Sequence, residues 1–224
     1  MIEPFVKAAL QLPEPAFRQA FWRGLGLSIA TLFALGTVLH LGLGWVALVG
    51  IGWIDWFLHA IGHLAYVAMS WVLFPSIATL MISIFTDEIA EAVEKRHYPS
   101  DAPGRPETVG AAMAASLRLV LLSLLLNLLF LPLYLVPVVN LVVYILVNGI
   151  LLGREYFGQV ARRYVDGATE TKIRKANRWR LLLPRLAIAG MFAVPLLNLL
   201  APLLATAAMV HVFKEVQRKT QILV

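Results

Sequence analysis

Three long stretches without charge constrain this chain more than any other feature. Between Gly24 and Phe85 the only formally charged side chain is Asp55; from Leu119 to Gly153 there is none, and from Leu186 to Phe213 there is none. An ordinary soluble domain has about a quarter of its residues charged, spread along the chain. Here 14% are charged and 60% are hydrophobic, and the mean hydropathy is +0.78. The apolar surplus needs hydrocarbon to face, and in hydrocarbon helices satisfy every backbone hydrogen bond locally. The fold class predicted is an all-α integral membrane protein.

The first gap has room for two long spanning helices within residues 24–98. Gly24–Leu43 is about 20 residues, or roughly 30 Å of helix, which matches a bilayer core. Leu64–Phe85 is similar and carries Pro75 as a kink. Between them Trp45, Trp53 and Trp56 mark a segment at headgroup level. Residues 1–23, with mixed charges, form an interfacial N-terminal helix, and the run that follows is longer than a signal peptide's apolar core. The second span continues out of the membrane as Thr86–Tyr98 and stops in the turn residues Pro99, Pro103, Gly104 and Pro106. With no linker to divide it, the chain is one domain over residues 1–224.

The later gaps behave differently. Leu186–Phe213 is 28 residues, too short for two spans of about 20 each. A single span would place Arg185 and Lys214 on opposite faces, although residues 154–185 hold nine of the nineteen Lys and Arg residues. Basic residues gather on the cytoplasmic side, so a hairpin that enters and returns fits better than one kinked helix. An internal repeat agrees: Val136-Pro137-Val138-Val139-Asn140-Leu141 recurs as Val194-Pro195-Leu196-Leu197-Asn198-Leu199. Proline forces an extended residue before it and suits the first turn of a helix after it. Pro137 and Pro195 are therefore read as the bends of two re-entrant hairpins, 109–166 and 181–219, with arms of about half a bilayer in the second. Both termini, residues 86–118 and residues 154–185 then share the cytoplasmic side.

With no cysteine, thiolate sites and disulfides are excluded. No Walker-type phosphate loop and no catalytic constellation inside the bundle is found, so neither an enzyme nor a cofactor is expected. The net charge of +6 flanks apolar runs, which argues for membrane orientation rather than nucleic acid. Arg18 and Arg23, just before the first span, are candidates for anion binding, because arginine and helix-start N–H groups together favour an oxyanion. The competing account is an interfacial anchor. Asn140, Tyr144 and Asn148 form one stripe and, with Asn198, are pathway candidates, interhelical hydrogen bonding being the plainer reading. Helices starting at Pro137 and Pro195 would aim positive ends into the bilayer, as discontinuous helices do around anions. Asp55, His59 and His63 share a face with zinc-like spacing, but a polar face of an interfacial helix is simpler, and no metal is expected. Residues 154–185 could meet acidic lipid headgroups.

The Phe85-Thr86-Asp87-Glu88 end of the second span, the two Val-Pro bends, Gly153-Arg154-Glu155-Tyr156-Phe157 and the closing Asn198–Ala205 run together resemble the CysZ-like sulfate permease family, within the etoposide-induced-protein superfamily. The likeness covers nearly the whole chain. It implies a bacterial inner-membrane protein, a homo-oligomer, that passes sulfate or a related inorganic oxyanion between membrane lipids. The family's Gly-Leu-Arg-Arg stretch before the first span is associated with sulfate binding. Pro15-Ala16-Phe17-Arg18-Gln19 stands there, with Arg18 at the first arginine and neither the glycine nor the second arginine present. The alternative function is a non-transporting structural or scaffold protein of the same fold.

Overall fold

The structure, a computed structural model, describes residues 3–45, 50, 52–106, 109–134, 136 and 139–220. Among the described residues there are only helices. In chain order they are α1 (Glu3–Leu10), α2 (Pro15–Trp45), α3 (Gly52–Ser83), α4 (Thr86–His97), α5 (Val109–Tyr134), α6 (Val139–Ala161), α7 (Gly167–Ala176), α8 (Leu182–Ala193) and α9 (Pro195–Thr220).

α2 and α3, 31 and 32 residues long, pack as a pair of about 45–50 Å each, longer than a bilayer core. Small residues set how closely they approach. A Cβ on Gly24 would fall 2.7 Å from Ile82 Cα, and one on Gly36 would fall 2.8 Å from the Tyr66 hydroxyl, which donates to the Leu32 carbonyl. Nearer the other end, His40 Nδ1 and His63 Nε2 are 3.0 Å apart.

The 52–63 segment differs from the expectation of a surface connection between spans. It is the beginning of α3, and Trp53 and Trp56 stand exposed on its first turns; the Trp45 side chain lies outside the described residues. No proline interrupts Gly52–His63, so helix propagates through it. Asp55 serves the turn before the helix: its Oδ2 accepts the Gly50 N–H at 3.1 Å, and Gly50 has φ +77°, a conformation glycine adopts without strain.

The two copies of the repeat fold alike. Val136 N–H donates to the Leu133 carbonyl at 3.3 Å and Val194 N–H to the Met191 carbonyl at 3.4 Å. Four residues on, Asn140 N–H closes onto Val136 and Asn198 N–H onto Val194, at 3.0 and 2.8 Å. Val194 is extended (φ −97°, ψ 117°), as the residue before a proline must be, and Pro195 opens α9. Pro137 itself lies outside the described residues. The arms of the second hairpin are unequal: α8 has 12 residues, roughly 18 Å, whereas α9 has 26.

α9 is the core of the molecule. It packs against α1, α3, α4, α6 and α8, and Ala201–Lys214 is buried without interruption. Among the described residues, four helices are long and apolar enough to cross a membrane: α2, α3, α6 and α9. Only 11% of the apolar window is buried in α2 and in α3, against 72% in α9. The first two turn their side chains outward to lipid, while α9 spends its apolar surface on the protein interior.

Candidate functional site

α1 ends in a short turn, and α2 restarts at Pro15, whose missing N–H is harmless at a first helical position. Phe17 and Ala20 are buried, which fixes the rotation of the first two turns. Arg18 and Arg23 are consequently exposed, and their surroundings differ. Arg23 Nη1 pairs with Glu88 Oε2 at 3.3 Å. Glu14, four residues before Arg18 and its natural partner on a helix, is instead engaged by Arg96 at 2.7 Å. Both acids' partners link α2 and its approach to α4. Arg18 has no side-chain hydrogen bond or ion pair among the described residues. It is an uncompensated cation in the first turn, where the helix dipole is positive.

α4 is in turn held by Arg163, just beyond α6. Its Nε and Nη2 donate to the two Glu94 carboxylate oxygens at 3.0 and 3.2 Å, and its Nη1 donates to Asp87 Oδ1 at 2.9 Å. The Gly104 N–H also donates to Glu94, at 3.2 Å, and the Arg105 N–H donates to the Arg163 carbonyl at 2.8 Å. Burial works against the guanidinium's charge, but the Glu94 bond and the charges of Glu94 and Asp87 outweigh it, raising its pKa above the ordinary arginine value. The fork therefore clamps the helix that neutralises Glu14 and Arg23. Arg163 was not among the residues singled out from sequence. A signal for its partner existed: Glu94 falls on the same face as Ile89, Ala90 and Val93, all buried, and a buried carboxylate requires a cation.

Of the pathway candidates, Asn198 is the one joined to another helix. Its Oδ1 lies 3.2 Å from the Thr79 hydroxyl of α3, which also donates to the Pro75 carbonyl at 2.7 Å. The bend at Pro195 is thus tied to the kink position of the long helix. Asn148 Nδ2 donates to the Tyr144 carbonyl of its own helix at 2.9 Å. The Asn140 side chain is exposed and Tyr144 is half-buried; neither side chain bonds to a neighbouring helix among the described residues. The stripe stays on α6 and does not meet Arg18. Nor do Asp55, His59 and His63 converge: Asp55 holds Gly50, and His63 reaches the His59 carbonyl through Nδ1 at 2.7 Å and His40 through Nε2. Among the described residues no group of three metal-ligating side chains forms.

The family described as "Sulfate transporter CysZ/Etoposide-induced protein 2.4" matches residues 5–202. No curated protein matches the chain.

Proposed function

The chain belongs to the sulfate transporter CysZ/etoposide-induced protein family, and from that premise we propose that it is a permease for sulfate or a related inorganic oxyanion in a bacterial inner membrane. The observation that carries this reading is the extent of the match, which takes in Arg18, both long helices and the bend at Pro195. Arg18 supports it physically. A guanidinium without a carboxylate partner, one turn into a helix, offers charge-assisted donors to an anion arriving from water. Arg23 does not serve in the same way, because Glu88 already balances it.

Beyond the capture residue, the bend at Pro195 starts α9 with free N–H groups, and the Asn198–Thr79 contact places polar atoms beside them. Such broken helices lower the cost of moving an anion through a low-dielectric region. Re-entrant hairpins at Pro137 and Pro195, both termini in the cytoplasm and assembly into a homo-oligomer complete the proposal.

Purified protein in liposomes should carry radiolabelled sulfate down its gradient. Arg18→Gln should lower that flux severalfold with the melting temperature unchanged, and Arg23→Gln should do less. Protein that moves none of sulfate, sulfite, thiosulfate or phosphate, and co-purifies with a fixed partner, would be the scaffold instead.

A further inference from the structure

A second group of cations lies where α5, α6 and α7 meet. A cavity of about 320 Å³ there is lined by Arg118 of α5, Arg154 and Glu155 of α6, Arg162 beyond it, and Glu170 and Thr171 of α7. The acids do not balance the arginines. Glu170 is buried and already engaged by Arg174 Nε at 2.7 Å and the Thr171 hydroxyl at 3.1 Å. Arg118 and Arg154 make no hydrogen bond or ion pair among the described residues, and Arg118 and Arg174 both stand close enough to repel Arg154.

Behind them, outside the cavity lining, stands one more cation. Arg185 of α8 lies across Gly153, where an added Cβ would come within 2.0 Å of its Cγ. Its Nε and Nη2 are closed to solvent and have no hydrogen-bond partner among the described residues. Five arginines (118, 154, 162, 174 and 185) thus crowd around two glutamates at one end of the α5–α6 pair. Like charges held together are unfavourable, and a multiply charged acceptor in the cavity relieves that repulsion.

We propose that this cavity is a binding site for a tetrahedral oxyanion, borne by a phospholipid headgroup or free in solution. Arginine forks match the oxygens of phosphate and sulfate alike. The volume is roughly ten times a water's share of liquid, so an esterified phosphate fits with room for its glycerol. Leu119 borders the cavity, and Leu117, Val120, Leu121 and Leu124 are exposed along α5, an apolar track on which acyl chains can lie. The site shares no residue with Arg18 and does not depend on transport.

Delipidated protein in neutral detergent is the material for the test. Native mass spectrometry follows added phosphatidylglycerol against phosphatidylcholine, and calorimetry follows inorganic sulfate and phosphate. Saturable binding is expected for at least one anionic ligand. It should weaken roughly tenfold or more in Arg118→Gln/Arg154→Gln, which breaks no ion pair, with melting unchanged. Arg18→Gln should leave it intact. Retention of phosphatidylglycerol that inorganic anions do not displace assigns the headgroup source, and saturable sulfate or phosphate binding that does displace it assigns the free anion. Absence of both, equal binding of phosphatidylcholine, or binding unaltered in the double variant overturns the proposal. Loss in Arg18→Gln alone overturns it too, while leaving the permease reading standing.

Discussion

Arg163 and Arg18 show how differently one residue type acts in the same chain. The Arg163 side chain is 4% exposed and faces Glu94, which is 7% exposed. Replacing Arg163 with methionine keeps the packing but strands a buried carboxylate, which should cost about 3–5 kcal/mol. Thermal unfolding in detergent measures this, and adding Glu94→Gln should recover part of the loss. Arg18→Gln removes no side-chain hydrogen bond or ion pair among the described residues and should stay within about 0.5 kcal/mol. If both variants melt alike, the clamp on α4 is not what holds that helix in place. The difference was not legible in the sequence. Arg18 stands out beside an apolar run, whereas the Arg163–Glu94 pair closes over 69 residues and needs the fold before it exists. Arg23 looked equal to Arg18 for the same reason, since its Glu88 partner lies 65 residues away.

At the scale of helices, local chemistry carried more of the answer. The Val-Pro-x-x-Asn repeat specified two bends, and both close with the same pair of backbone bonds because proline dictates the residue before it and the turn after it. The α2–α3 contact was less visible, because the five glycines of Gly24–Gly44 look alike in an apolar run. In the structure Gly24 meets the Ile82 backbone, whereas nothing lies within 4 Å of a Cβ placed on Gly26. Backbone cannot yield as a side-chain tip can, so Gly24→Ala should separate the pair and cost about 1–3 kcal/mol. Gly26→Ala should be neutral or gain up to about 1 kcal/mol from helix propensity. Comparing the two melting curves isolates packing from propensity, and equal shifts would mean that α2 and α3 do not touch at Gly24.

For the molecule as a whole, apolar composition does not say what covers a helix. α2 and α9 are both apolar enough to cross a membrane, yet α9 is wrapped by protein and α2 is not. That is why the charge-free run of residues 186–213 resembled two equal arms but folded as a short α8 and a long, buried α9. The orientation proposed from charge is directly testable, because the sequence has no cysteine. Single cysteines at the exposed positions Ala9, Ala102, Lys172 and Lys219 should react with an impermeant maleimide only after cells are permeabilised. Gly52→Cys, at the start of α3, should react in intact cells, because in the proposed orientation one long helix separates it from each cytoplasmic segment. Cysteines at Val136 and Leu196, beside the two bends, decide the remaining point. Hairpins that cross the bilayer would expose them outside, whereas hairpins that stop within it would leave them shielded on both sides. Labelling of Ala9→Cys and Lys219→Cys from opposite faces would break the arrangement, since no even number of crossings could then join the two ends.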